Sequence, residues 1–490
     1  MDPEKYGDVD EPFDLCNYIG GEFVCHSGDK WMNVLEPATG RRFARVPLST
    51  AEDVDAAVAV AREAQPAWGA LSIAERAGWL DRIADALEAR YEDIASLESR
   101  DTGKPISLAR AVDAQRSVTN FRFFAGLLRE QESEIFEMED STNFVIHKPV
   151  GVGALITPWN LPLYLLSWKV APAIGMGNCV VCKPSELTPM TADLLMQVIH
   201  DVGLPAGVVN LVHGDGGGTG APLVAHKDVD LVSFTGGTDT GQKVAASAAP
   251  SFKKLSLELG GKNASIVFSD CDMEATVSGV VRAGFLNQGQ VCLCGSRVLV
   301  EDSIYEQFRD RFVEAVKSMQ IGDPSDEETD LGALISSEHL DKVSSYVELA
   351  KKEGGILLTG GQPCLTPEFE HGNWMAPTVI EGLGPDSRCS IEEIFGPVVT
   401  LHRFSSEEEA VAIANNTRYG LAGSVWTGDL VRGKRISESL ETGMVWVNTW
   451  LHRDLRAPFG GVKDSGVGRE GGRWSLGFFS EAMNVCVKHD

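Results

Sequence analysis

Four short apolar runs, at 152–156, 179–182, 208–212 and 231–234, alternate with helical stretches that begin near Leu161, Thr188, Gly220 and Thr238. A strand can pair in parallel with the next strand only after a crossover of a dozen or more residues, and a helix is the compact way to make one. That crossover is right-handed in nearly all known sheets. The rhythm therefore predicts an α/β fold on a parallel sheet. Ligands of such sheets sit beyond the carboxyl ends of the strands. Residues 152–258 are accordingly the candidate cofactor-binding core.

The flanks read in the same terms. Ser72-Ile73-Ala74-Glu75 is a capping box, and Leu80, Ile83, Leu87 and Ile94 continue it at helical spacing until Gly103 and Pro105 stop the helix. A second helical stretch follows over about 107–128. Alternation over 143–152 predicts a strand, and so does Asn484-Val485-Cys486-Val487 near the end. A second α/β region spans about 259–448, with no internal repeat or low-complexity linker between the halves. A chain of 490 residues exceeds one ordinary core, so two or three domains are expected.

Charge excludes several functions. The formal net charge is −27. Binding a duplex requires Lys and Arg to displace counterions, and anionic leaflets attract basic segments, so neither nucleic acid nor a membrane is expected as a partner. Acidity predicts solubility, with a salt-rich habitat as one setting for it. Any anionic ligand must then be caught by a few local positive groups. No basic region leads into an apolar run at the start, and no window approaches the roughly 20 apolar residues of a bilayer span. Ten cysteines in so long a chain are not a disulfide framework. They point to a cytoplasmic location, most thiols serving as small apolar core residues. The acidic, apolar-poor stretch 1–12 is expected to be disordered.

Two segments carry chemistry: Phe285-Leu286-Asn287-Gln288-Gly289-Gln290-Val291-Cys292 and Leu257-Glu258-Leu259-Gly260-Gly261-Lys262-Asn263. Alone, each has a bland reading, an inert buried thiol and a solvated glutamate ending a strand. Five further segments change that: Thr157-Pro158-Trp159-Asn160-Leu161-Pro162, Lys183-Pro184-Ser185-Glu186, Phe234-Thr235-Gly236-Gly237-Thr238, Glu392-Glu393-Ile394-Phe395-Gly396-Pro397 and Pro458-Phe459-Gly460-Gly461. With these in order, the chain resembles the aldehyde dehydrogenase superfamily from about residue 17 to its end.

The resemblance implies a Rossmann-like NAD-binding domain (1–128 and 149–258), an α/β catalytic domain (259–470) and a small β oligomerisation arm (129–148 and 471–490). The arm extends a partner's sheet, so a homodimer or homotetramer is implied. Cys292 matches the nucleophile, since a thiolate is the side chain best able to attack an aldehyde carbon near neutral pH. The Asn160 amide and the Cys292 backbone N–H match the donors to the resulting oxyanion. Glu258 matches the general base for the water that hydrolyses the thioester. The cofactor set carried over is Ile156, Thr157, Pro158, Trp159, Lys183, Ser185, Glu186, Gly236, Gly237, Thr238, Glu258, Leu259, Gly260, Glu393 and Phe395. Among these, a carboxylate at Glu186 would repel a 2′-phosphate, favouring NAD over NADP. Many relatives have Ser where this chain has Gly237.

Within the superfamily the resemblance narrows to the 2-aminomuconate and 2-hydroxymuconate semialdehyde dehydrogenases. It does so on Arg116-Ser117-Val118-Thr119-Asn120-Phe121-Arg122-Phe123-Phe124-Ala125, Trp159-Asn160-Leu161-Pro162-Leu163-Tyr164, Cys292-Leu293-Cys294 and Trp450-Leu451-His452-Arg453-Asp454-Leu455-Arg456. Those substrates carry a carboxylate away from the aldehyde, and Arg116 and Arg453 match the arginines that grip it, with Asn160 and Phe459 lining the same pocket. Ion pairing at the surface or between domains is the alternative for both arginines, and Arg456 is the alternative to Arg453. The stretch 109–115 lacks the proline expected before Arg116.

Other readings fit the residues less well. Acyl transfer to coenzyme A dispenses with the Glu base, which is present. A non-catalytic structural protein can lose the nucleophile or base, and both are intact. A broader aliphatic, retinal or betaine aldehyde substrate keeps the chemistry, but two pocket arginines would repel the cationic one. Gly466-Val467-Gly468-Arg469-Glu470-Gly471 matches G-x-G-x-x-G without a following βαβ unit, and Cys179-Val180-Val181-Cys182 has no second pair at zinc spacing, so no metal is expected.

Overall fold

The computed structural model of the chain describes residues 12–25, 30–131, 134–364 and 371–489. Of the acidic opening stretch, 1–11 lie outside them. The predicted parallel core is present. Lys254–Glu258, Leu231–Thr235, Val152–Ile156, Cys179–Lys183 and Val209–Leu211 run parallel in that spatial order. Antiparallel edge strands flank them: Gly466–Val467 on one side, then Asn17–Ile19 and Glu22–Val24 on the other. The chain builds outward from Val152–Ile156 in one direction, then returns to its other side with Leu231–Thr235. That gap is the topological switch point, the crevice where such sheets bind ligands. Thr157 to Asn160 leave one of its strands and Gly236-Gly237 leave the other.

A second sheet holds seven strands, in the order Ile356–Thr359, Thr378–Glu381, Val398–Phe404, Arg297–Glu301, Ala264–Val267, Ala422–Trp426 and Met444–Val447, all parallel except the first. Ser480–Lys488, Ser141–Pro149 and Ile135–Glu137 form a separate antiparallel sheet. The G-x-G-x-x-G match contributes Gly466–Val467 as an edge strand of the first sheet and no βαβ turn. Cys179 and Cys182 are fully buried in their strand. No helix among the described residues is long and apolar enough to cross a membrane.

Three local expectations need correction. The capping box forms, Ser72 Oγ accepting from Glu75 N–H at 3.3 Å and Glu75 Oε2 from Ser72 N–H at 2.8 Å. The helix it starts, however, runs only over Ile73–Ala89, breaks at Arg90 and resumes as Tyr91–Thr102, which Gly103 ends at φ 75°. A second capping box at Thr50 and Asp53 begins the helix Ala51–Gly69, for which no helix was predicted. The helical stretch expected from 107 is not uniform: Ile106–Leu108 leads into a π-helical turn, Ala109–Ala114, before Gln115–Arg129 continues as α-helix. The turn occupies the stretch that lacks the expected proline.

Nor are all ten cysteines free. Cys16 and Cys25 flank the antiparallel pair Asn17–Ile19 and Glu22–Val24, whose register matches Asn17 with Val24. Their Cα atoms therefore fall 4.4 Å apart, and the two form a disulfide.

Candidate active site

A cavity of about 550 Å³ opens at the switch point, between the first sheet, the helical wall that includes Leu108, Gln115 and Arg116, and the second region's Cys292 loop. Its lining includes Pro158, Trp159, Asn160, Gly236, Gly237, Glu258, Leu259, Gly260, Cys292, Glu393, Phe395, Arg116, Arg453 and Phe459. Residues spread over more than 300 positions in sequence thus converge on one space.

The nucleophile loop is strained and tied down. Helix Met273–Phe285 gives way to Asn287, Gln288 and Gly289 at φ 53°, 55° and 70°. Left-handed backbone costs a residue with a Cβ about 1–2 kcal/mol, so it persists only where surroundings hold it. Gln288 Nε2 donates to Ala333 O at 3.0 Å and Gly103 O at 3.3 Å, and Asn287 Nδ2 donates to Asn160 O at 3.2 Å. At Gly289 a Cβ would lie 2.1 Å from Gly396 O, so only glycine fits. Asn263 Nδ2 then grips the carbonyls of Cys292 and Cys294 at 2.8 and 3.0 Å. Burial pushes the Cys292 thiol up, and the charges of Glu393 and Glu258 add to the rise. A thiol so placed must give up its proton to act as a nucleophile.

Glu258 ends the strand Lys254–Glu258, is 4% exposed, and has no hydrogen-bond partner on either oxygen. Burial holds its carboxyl well above the usual carboxylate range, and the Glu470 charge raises it further, against Lys169, Arg469 and Arg453. Lys169 Nζ lies 2.8 Å from Glu470 Oε1. Gly460, at φ 146°, leaves room for the acid: a Cβ there would meet Glu258 Oε1 at 2.7 Å. A raised, unpartnered carboxyl facing a cavity has the properties of a general base near neutral pH. Nearby, Asn160 Nδ2 donates one N–H to Gln290 O at 2.9 Å, and the Cys292 backbone N–H has no acceptor among the described residues.

The residues expected at the cofactor divide in two. Trp159 packs edge-on against Phe395 at 5.3 Å, and Glu393 Oε1 accepts from Gly261 N–H at 2.8 Å. Gly260 permits that approach, since a Cβ there would meet Glu393 Oε2 at 2.4 Å. Gly236 and Gly237 precede the helix Thr238–Ala248, and a side chain at Gly237 would meet open space. Ile156, Thr157, Lys183, Ser185, Glu186 and Thr238 lie off the cavity. Lys183 ends the neighbouring strand, its Nζ 3.4 Å from the half-buried Glu186 Oε2. Ser185 Oγ accepts from Leu187 N–H, and Thr238 Oγ1 donates to Asp464 O, so both hydroxyls are engaged with the chain itself.

Neither candidate arginine has a carboxylate partner among the described residues. Arg453 Nη1 donates to Tyr164 Oη at 2.8 Å, its guanidinium covers the Phe459 ring at 4.1 Å, and its Nη2 is buried without an acceptor. Arg116 stacks over the Tyr164 ring at 5.2 Å. Arg456 is exposed and paired with Asp454. Tyr164 and Trp168, one helical turn apart on Pro162–Gly175, were not assigned a role from sequence, although both line the cavity with Arg282, His339 and Lys342. The i, i+4 spacing of two aromatics after the Asn160 segment was the available signal.

Comparison with known proteins agrees with this geometry. The aldehyde dehydrogenase family matches residues 23–485. The chain is 49% identical over 480 residues to 2-aminomuconic semialdehyde dehydrogenase of Danio rerio, covering 97% of this chain and 98% of the relative. It is 45% identical over 483 residues to 2-hydroxymuconic semialdehyde dehydrogenase of Pseudomonas sp. (strain CF600), covering 97% and 99%. Its fold superposes on the crystal structure of PnpE from Pseudomonas sp. WBC-3 with TM-score 0.95 and 42% identity, covering 98% of both chains. PnpE has also been solved in complex with nicotinamide adenine dinucleotide. On fold, site and sequence together, the chain belongs to the aldehyde dehydrogenase family.

Proposed function

We propose that this chain catalyses the NAD-dependent oxidation of a carboxylate-bearing aldehyde, 2-aminomuconate or 2-hydroxymuconate 6-semialdehyde, to the acid. The observation that carries the substrate is the buried, unpaired Nη2 of Arg453, which shares Tyr164 with Arg116, in a chain of net charge −27. A buried donor without an acceptor costs about 1–3 kcal/mol, more when charged. A planar carboxylate removes that cost by pairing with the guanidinium fork. Relatives named for these two semialdehydes support the reading.

The residues present suit the dinucleotide. Glu186 beside Lys183 would hold the adenosine ribose, and Gly236 and Gly237, with Thr238 opening the helix, would admit the pyrophosphate to its N-terminus. Trp159, Glu393 and Phe395 would frame the nicotinamide half, with Pro158, Leu259 and Gly260 lining the same cavity and Ile156 and Thr157 behind them in the cofactor set. When bound, NAD supplies the two-electron acceptor. Cys292 Sγ attacks the aldehyde carbon, while Asn160 Nδ2 and the Cys292 N–H steady the developing oxyanion. Glu258 takes the proton from the water that cleaves the thioester.

In this reading 1–128 and 149–258 form the cofactor domain, 259–470 the catalytic domain, and 129–148 with 471–490 the arm. The arm's sheet leaves Ile135, Phe136, Ile146 and Val487 exposed across its three strands, apolar surface suited to a second copy in a homodimer or homotetramer. Initial NADH formation with 2-hydroxymuconate semialdehyde, set beside benzaldehyde, hexanal and betaine aldehyde, tests the substrate. A preference of about a hundredfold (about 2.7 kcal/mol) supports the clamp, with R116A and R453A each costing about tenfold or more. Comparable rates on the uncharged aldehydes would remove both arginines from substrate binding.

A further inference from the structure

A cluster of buried charge that no step of the reaction uses lies behind the cavity wall. Lys104 is fully buried, its Nζ 2.7 Å from Asp113 Oδ2 and 3.8 Å from Glu98 Oε2, and both carboxylates are fully buried too. A buried ion pair gains little over apolar packing of the same shape, so its presence calls for a role other than stability.

Its connections suggest the role. Asp113 lies in the π-helical turn Ala109–Ala114, and Arg116 follows three residues later. A π turn widens the helix by one residue per turn and so resets the direction in which the following side chains face. Leu108, Ala111, Val112, Gln115 and Arg116 all line the cavity, on either side of and within this turn. Lys104 follows Gly103, whose carbonyl accepts from Gln288 Nε2 in the Cys292 loop. Glu98 Oε1 accepts from Leu163 N–H at 2.9 Å, just beyond the Asn160 segment. The substrate wall, the nucleophile loop and the Asn160 segment are thereby referred to one buried anchor.

We propose that the Lys104–Asp113 pair is a positioning device that fixes the π turn and so aims Arg116 at the substrate carboxylate. Neither residue touches substrate, yet both set specificity for an anionic aldehyde. This rests on the reading of Arg116 as a carboxylate clamp.

The test measures kcat/KM for 2-hydroxymuconate semialdehyde and for hexanal in D113N, with R116A in parallel. D113N is nearly isosteric and should cost about tenfold on the muconic substrate, chiefly through KM, while hexanal changes by less than about twofold. Equal losses on both substrates would mean a merely structural role and overturn the proposal. No loss in D113N alongside a loss in R116A would overturn it and leave the clamp standing. No loss in R116A would remove clamp and proposal together. Should D113N fail to fold, K104M/D113L removes both charges. The proposal predicts that this variant also loses the muconic preference, and retention of the preference would overturn it.

Discussion

Arg453 donates one guanidinium N–H to Tyr164 Oη at 2.8 Å, and its other terminal nitrogen is buried with no acceptor. The phenol thus orients one face of the fork and leaves the remainder for a ligand. Tyr164 also lies beneath Arg116, so one side chain serves both cations. Y164F keeps the ring and removes only the hydroxyl. A single hydrogen bond to a charged group is worth about 1.5–3 kcal/mol. The expected outcome is a KM for the muconic semialdehyde raised about tenfold, with kcat nearly unchanged and hexanal unaffected, checked by steady-state kinetics on both substrates.

In the proposed cofactor site, cofactor choice would rest on a different pair. Glu186 Oε2 stands 3.4 Å from Lys183 Nζ, and both lie off the central cavity at the end of the adjoining strand. In that reading a carboxylate there would accept from ribose hydroxyls and repel a 2′-phosphate. E186S should lower kcat/KM for NAD by about tenfold and narrow the gap to NADP from both directions, because the lysine then meets the phosphate without a competing charge. Titrating each cofactor at fixed aldehyde checks it, and equal efficiencies in the unmodified enzyme would sink the assignment.

Much of this site was legible because its chemistry sits in contiguous motifs. Glu258, Cys292 and the Asn160 segment come from three separate stretches, and the cavity unites them. The βα rhythm was legible for a physical reason: strands such as Val152–Ile156, buried on both faces, leave unbroken apolar runs. The π turn left no such trace, because Ala109-Arg110-Ala111-Val112-Asp113-Ala114 has the composition of an ordinary α-helix. The break at Arg90 was hidden for a related reason, since apolar spacing continues through it to Ile94. The Cys16–Cys25 bond was missed because only the pairing register of two three-residue strands brings those thiols together.

Gly460 offers a way to disturb Glu258 without removing it. It adopts φ 146°, and an added Cβ would approach Glu258 Oε1 to 2.7 Å. G460A should therefore displace the carboxyl and slow thioester hydrolysis. Rapid mixing should retain a burst of NADH of about one equivalent per active site, followed by a steady state lowered about tenfold or more. Loss of the burst itself would place the defect at Cys292.

Removing the acid entirely separates its chemical contribution from its cost to the fold. Burial holds the Glu258 carboxyl well above the usual range, with Glu470 adding to the rise. A group whose folded pKa is raised binds its proton more tightly in the folded state than in the unfolded chain. Folding stability therefore falls as pH rises from the ordinary carboxylate value toward the raised one, and the loss is complete above it. E258Q has no proton to lose at this position. Its Tm should match that of the unmodified protein near pH 4.5 and exceed it by a margin that widens as pH rises toward 8, in scans at a fixed rate. Over the same interval the unmodified enzyme's hydrolysis step should speed up with pH as the base ionises. E258Q should form its NADH burst and then turn over about a hundredfold more slowly. A Tm difference that shrinks with rising pH would mean that Glu258 is stabilised as the anion, and would overturn its assignment as a base held protonated by burial.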